Sequence, residues 1–166
     1  MVVRHLEELK ELSRTRRLLT YITDLCISYC SQSSEEDLNN LIKIRCEGQP
    51  CKYDINFLKK LGIFKISDEY IWYSILKQVP PNNLLKNLHF SSDNAGFIHL
   101  DRYVIPVKDS LGNVITWVSY KKGALHKYVT SRNLGFSKDI YFYGDFFSAK
   151  LKGYCIVVEG MFDKIR

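Results

Sequence analysis

Glu159 and Asp163 stand four residues apart, directly after the apolar run Tyr154-Cys155-Ile156-Val157-Val158. A continuous apolar run of this kind reads as a strand buried on both faces of a parallel sheet. Open α/β sheets place their chemistry at the carboxyl ends of such strands, which is where Glu159 emerges. Gly160 lets the backbone turn there without a clashing Cβ, and Asp163 falls one turn into a following helix. Two carboxylates converging in this way can hold magnesium through hard oxygen ligands. The same residues also suit a simple helix cap, with Glu159 facing the positive end of the helix dipole.

Other reactive residues carry weaker signals. Cys26, Cys30, Cys46 and Cys51 are separated by three, fifteen and four residues. Zinc ribbons present tighter knuckles, and Cys26 falls on an apolar stripe, so the reading is core or surface thiols rather than zinc. Five cysteines without a secretion signal point to reduced thiols rather than a disulfide framework. The Arg14-Thr15-Arg16-Arg17 cluster reads as a solvated helix face. His126 has no orienting acid beside it and reads as a surface residue. The sequence contains no Gly-rich phosphate loop, serine elbow or cysteine–histidine protease signature.

The elements that must position these groups divide the chain. Leu6, Leu9, Leu12, Leu19, Ile22, Leu25 and Tyr29 form one stripe of a long amphipathic helix. Ser34 and Asp37 resemble a capping box for a second helix carrying Leu38, Leu41 and Ile42. Asp54 opens a third, with Ile55, Phe57, Leu58 and Leu61 inward and Gly62 as a left-handed cap. Ser67-Asp68 starts a fourth, which ends before Pro80-Pro81. Beyond Leu88 the period shortens. Tyr103–Val107 and Val114–Tyr120, joined by the turn residues Lys108–Asn113, predict a β-hairpin. Asp139–Gly144 is a weaker strand candidate. The expected class is α+β: a helical region over 1–90, a basic β-rich region over 91–153, and the start of a further α/β sheet over 154–166.

Composition agrees with a packed core. Of 166 residues, 46% are hydrophobic and 25% charged, which excludes disordered and collagen-like classes. No apolar run reaches the roughly 20 residues needed to span a bilayer, and the charged N-terminus lacks a signal core. The expectation is a cytoplasmic protein with no membrane partner. A net charge of +6 favours a polyanionic partner.

From Arg102 to Asp163 the chain resembles the DnaG-type primases of bacteria and phages. Four blocks carry the resemblance, in order along the chain. They are Arg102–Asp109 with Gly112–Ile115, then Lys127-Tyr128-Val129-Thr130-Ser131, then Phe136-Ser137-Lys138 with Tyr141-Phe142-Tyr143-Gly144, and finally Val157–Asp163. The last is similar to the first motif of the TOPRIM fold. The resemblance implies a DNA primase, a nucleotidyltransferase and DNA-directed RNA polymerase that lays RNA primers on single-stranded DNA during replication. It implies Glu159 and Asp163 as catalytic and magnesium-holding residues. It implies Arg102, Lys127 and Lys138 as a basic ridge for template and nucleoside triphosphates. Tyr128 suits either stacking on a base or simple packing on the β-surface. Where the family carries an arginine after the second strand this chain has Tyr120, and Lys121 or Lys122 takes the place as a point charge.

Two departures shape the expectation. No paired cysteine–histidine ribbon precedes the core. The sequence also ends at Arg166, seven residues after Glu159, before the rest of a TOPRIM sheet and its downstream acids. The chain is therefore expected to be a fragment or split subunit, inactive without the missing TOPRIM portion. It would be completed by a TOPRIM-containing chain that supplies further magnesium ligands, and would work beside a replicative helicase. Its reduced form suggests a phage origin. The alternative is a non-catalytic nucleic-acid-binding or replisome-interaction protein derived from a primase.

Overall fold

The spacing of three and four along the first segment is realised as a single helix, α1 (Val2–Tyr29). The computed structural model describes residues 2–31, 34–47, 55–81, 83–92, 96–109, 111–131 and 134. Leu19, Ile22 and Cys26 of α1 are fully buried, whereas Leu6 and Tyr29 at its two ends are half exposed. The reason is length: 28 residues make a helix about 42 Å long. The strand beneath it, of seven residues, spans about 24 Å.

The next helices are α2 (Ser34–Arg45), α3 (Ile55–Lys60) and α4 (Glu69–Leu76). Ser34 lies already inside α2, and its hydroxyl donates to the Ser31 carbonyl at 2.9 Å. Asp68 caps α4, its carboxylate accepting from the Ile71 N–H at 2.9 Å. In α3 Leu58 is buried but Phe57, expected inward, is half exposed. It lies about 100° around the helix from Leu58, beyond the narrow face that six residues can bury. Gly62 has φ +72°, and a Cβ there would stand 2.9 Å from Ile27 Cδ1. Both the turn and the close approach of α1 require glycine.

A four-stranded antiparallel sheet, in order β1–β4–β5–β6, runs through the molecule. Its strands are β1 (Phe64–Lys65), β4 (Tyr103–Lys108), β5 (Val114–Tyr120) and β6 (Tyr128–Thr130). The hairpin expected from the sequence is β4–β5. Two features were not expected: β1, whose two residues show no periodicity, and β6. A 3-10 turn (Asn83–Leu88) and a small ribbon of β2 (Ser91–Ser92) and β3 (Gly96–Phe97) complete the described elements. Pro106 sits mid-strand in β4 without penalty. β1 pairs only with Tyr103 and Val104, so the side of β4 that Pro106 would have to serve has no described strand beside it.

Period-two alternation sends the sheet's residues into two cores. Val104 and Trp117 face α1 and α4, with Leu19, Ile22, Trp72, Phe90 and Phe97. Tyr103, Ile105 and Tyr120 face Leu38 and Leu41 of α2 and Leu58 of α3. Both cores draw on residues before and after position 90.

Trp117 is the centre of the larger core. Its ring stacks on Phe90 at 4.5 Å and meets Phe64 edge-on at 5.2 Å. Its indole N–H donates to Thr23 Oγ1 at 2.8 Å, and that hydroxyl donates onward to the Leu19 carbonyl at 2.7 Å. Two further α1 side chains bond to the sheet region, one to the start of β5 and one to the segment after β6. Thr20 Oγ1 accepts from the Val114 N–H at 2.9 Å, and Arg16 Nε donates to the Leu134 carbonyl at 2.6 Å. Arg16 also lies 3.7 Å from Asp109, so it is a tie between α1 and the sheet and not part of a solvated face.

His99 is buried beside this cluster, with Nδ1 2.8 Å from Ser119 Oγ. The Ser119 hydroxyl also lies 3.4 Å from the Val129 carbonyl. Nε2 has no hydrogen-bond partner among the described residues. Burial, aided by the charge of Arg102, pushes the imidazole pKa down to about 3. His99 is therefore neutral in the fold at neutral pH.

Two outcomes follow. Thr23→Val leaves the indole N–H unsatisfied and costs about 1–3 kcal/mol in urea unfolding. His99 binds its proton in the unfolded chain below its ordinary pKa of 6.5 but stays unprotonated in the fold. Stability is thus highest above that pH and falls as the pH drops, by up to ~1.4 kcal/mol per unit. His99→Phe flattens the slope between pH 6.5 and about 5, as read from urea midpoints at each pH.

Candidate nucleic-acid interface

Strand register sets three tyrosines in one line: Tyr103 opposite Tyr120, and Tyr120 opposite Tyr128. Directly opposed residues share a face, so the three rings project to the α2 side of the sheet. Tyr103 and Tyr120 are buried under α2 and α3, but Tyr128, on the last described strand, stays 42% exposed. The rings of Tyr120 and Tyr128 lie 5.4 Å apart.

Cations sit along this line. Lys65 Nζ is 5.5 Å from the Tyr103 ring, and the Arg45 guanidinium is 5.6 Å from Tyr120. Lys127 Nζ bridges two rings, 5.8 Å from Tyr120 and 5.9 Å from Tyr128. These are cation–π distances, which hold the ammonium over the rings while leaving its outer side hydrated. Among the described residues Lys127 has no carboxylate partner.

The turn from β5 to β6 is braced at its base. The Lys121 N–H donates to the Lys127 carbonyl at 3.0 Å, and Arg102 Nη1 donates to the His126 carbonyl at 2.9 Å. Of the residues expected to bind nucleic acid or nucleotide, Arg102, Lys121, Lys127 and Tyr128 therefore converge on one end of the sheet. Lys138 lies outside the described residues, as do Glu159 and Asp163, the strand expected at Tyr154–Val158 and the block at Tyr141–Gly144.

Several cations here are engaged by the chain's own acids. Asp101 accepts from Lys65 and from Lys121, each at 2.7 Å, and Lys122 pairs with Glu47. Burial alone would raise the Asp101 carboxyl pKa, but the two lysines outweigh it and hold the carboxyl below its ordinary value. Lys65, Asp101 and Arg45 were not expected from the sequence. Lys65 joins the site through the unexpected β1, and Arg45 through the packing of α2 on Tyr120. Asp101 was legible only as the acid preceding Arg102.

Among the described residues no group of three or more His, Cys, Asp or Glu side chains is placed to hold a metal. Cys26 and Cys30 are buried. Burial raises both thiol pKa values, that of Cys30 to about 11, which keeps them protonated at neutral pH. Cys46 departs from the expectation of reduced thiols: it is disulfide-bonded. The loose cysteine spacing gave no sign of which thiols would meet. Among the described residues no helix is long and apolar enough to cross a membrane.

No family model matches the chain, and no curated protein matches it in sequence. Solved structures do match, and they show a primase-like fold. The chain is similar to the Aquifex aeolicus primase comprising zinc-binding and RNA polymerase domains, with a TM-score of 0.61 at 22% identity, over 92% of this chain and 39% of that one. It is also similar to the E. coli primase catalytic core, with a TM-score of 0.53 at 15% identity, over 76% and 40%. A third match is a DnaG primase catalytic domain bound to ssDNA, with a TM-score of 0.52 at 16% identity, over 78% and 42%. The chain thus spans about two fifths of the length of the structures it matches.

The Arg102 brace has a measurable consequence. Arg102→Ala removes a charge-assisted bond worth about 1.4 kcal/mol or more, so hydrogen exchange at the Lys121 amide quickens about tenfold. The amides of Ile105 and Val107, opposite Val118 and Thr116 in the β4–β5 ladder, keep their protection.

Proposed function

We propose that the chain is part of a DnaG-type primase, and that the sheet end carrying Lys127 and Tyr128 contacts the single-stranded DNA template. The observation that carries this reading is the half-exposed tyrosine with a lysine over its ring, on the last described strand of a primase-like fold. A base can stack on the open face of Tyr128 while Lys127 meets the adjoining phosphate. Arg102 holds the turn that presents them. Lys121 and Lys138 complete the ridge for template and nucleoside triphosphate.

In this reading Glu159 and Asp163 hold magnesium, which when bound offsets the negative charge that builds on the attacking hydroxyl and departing pyrophosphate. A TOPRIM-containing remainder, in the same or another polypeptide, supplies the further acids, and a replicative helicase is the expected neighbour. The setting is the cytoplasm, that of the host if the origin is a phage. One observation favours a second reading, a non-catalytic nucleic-acid-binding protein: Lys121 and Lys122 are engaged by Asp101 and Glu47, which weakens the field a triphosphate would meet.

Glu159→Gln separates the two. In a chain supplied with the rest of a TOPRIM domain it abolishes magnesium-dependent primer synthesis and leaves oligonucleotide binding unchanged or slightly tighter. If the supplied parent chain makes no primers yet binds DNA, the second reading holds. The interface itself is tested by anisotropy with labelled oligo(dT). Lys127→Ala weakens binding and lowers the salt slope by about 0.7. Tyr128→Ala costs about 1–3 kcal/mol per stacked base, with little change in slope. Wild-type affinity in both variants would place the contact elsewhere.

A further inference from the structure

Asp101 engages two lysines at once, and the sheet builds the arrangement. Lys65 comes from β1 and Lys121 directly follows β5, so the two flank the entry to β4. Lys65 Nζ meets Asp101 Oδ1 and Lys121 Nζ meets Oδ2, each at 2.7 Å. The acid's backbone is fixed, because its N–H donates to the Ile66 carbonyl at 2.8 Å and its φ is +51°. Asp and Asn adopt that left-handed conformation more readily than other side-chain-bearing residues.

The cluster is open to solvent. The Asp101 side chain is 43% exposed, Lys121 42% and Lys65 21%. Two ammonium groups converging from different strands on one pair of anionic oxygens is the arrangement a phosphate requires, and here the chain's own carboxylate fills it.

We infer that Lys65 and Lys121 form a phosphate-binding site, in which Asp101 stands in for phosphate oxygens until a phosphoryl group displaces it. Displacement is cheap, since half-exposed ion pairs contribute little net stability. A ligand already held by Lys127 and Tyr128 delivers its next phosphate at high effective concentration. Asp37 on α2 is the other acid whose charge acts on Lys65, and it opposes a second anion in the site. The inference rests on the nucleic-acid reading for its ligand but not for its geometry. The phosphoryl group belongs either to the strand backbone or to an incoming nucleoside triphosphate.

Asp101→Asn tests it, because asparagine keeps the left-handed backbone while releasing both lysines. Asp24→Asn, the same charge change on an exposed position of α1, is the control. Asp101→Asn tightens oligo(dT) or ATP binding about fivefold beyond the control, and adding Lys65→Gln removes the gain. A gain with oligo(dT) assigns the site to the strand backbone, and a gain with ATP alone assigns it to the triphosphate. A gain equal to the control's, or one that survives Lys65→Gln, overturns the inference. If the parent chain binds no oligo(dT) at low salt, the nucleic-acid reading fails. The site is then decided by inorganic pyrophosphate added to the Asp101→Asn protein. Shifted Lys65 and Lys121 ammonium signals in NMR sustain it, and unmoved signals overturn it.

Discussion

The indole of Trp117 is the point on which the rest of the fold hangs. It is the sheet residue that α1, α4 and the aromatic residues after α4 all reach, and its one polar atom is satisfied by a helix hydroxyl. A buried N–H without a partner would cost about as much as several surface contacts contribute, so Thr23 and Trp117 must be placed together. That fixes the axial position of α1 over β5. Thr20 and Arg16 add two further bonds from α1, and the opposite face of the same strand is left to present Tyr120.

A positive net charge does not by itself make a positive surface. Arg16 is used between α1 and the sheet, Arg102 on a backbone carbonyl, and Lys65, Lys121 and Lys122 on acids. What remains near the tyrosine line is concentrated at the Lys127 end. The distribution matters more than the total, because a strand of phosphates is read by cations at fixed spacing and screened beyond about 10 Å.

The helices and the β4–β5 hairpin were legible because their periodicity runs over many residues, and the Asp68 cap and Gly62 turn because each has one local physical reason. Phe57 was misplaced because six residues do not define a face. β1 and β6 escaped because two or three residues carry no period and are strands only by virtue of their neighbours. The candidate site was legible in part for the same reason. Arg102, Lys121, Lys127 and Tyr128 were visible as residue types, but their alignment with Tyr103 and Tyr120 is a property of register. The contributions of Lys65, Asp101 and Arg45 are tertiary, and His99 buries an imidazole that its sequence neighbours gave no reason to bury.

The far end of the β4–β5 hairpin touches α1 through Arg16 and Asp109 and otherwise closes on itself. A register shift at Val107/Lys108 interrupts the ladder, and the Asp109 carboxylate then closes the tip by accepting the Leu111 and Asn113 N–H groups at 2.9 Å. Leu111 is solvent-facing, and a Cβ on Gly112 would meet nothing within 4 Å. The Leu111 side chain can therefore vary without disturbing the strands, whereas Gly112, at φ +83°, keeps the turn closed and stays glycine. That makes this tip the natural attachment point for a dye or tether, about 20 Å of strand away from the tyrosine end.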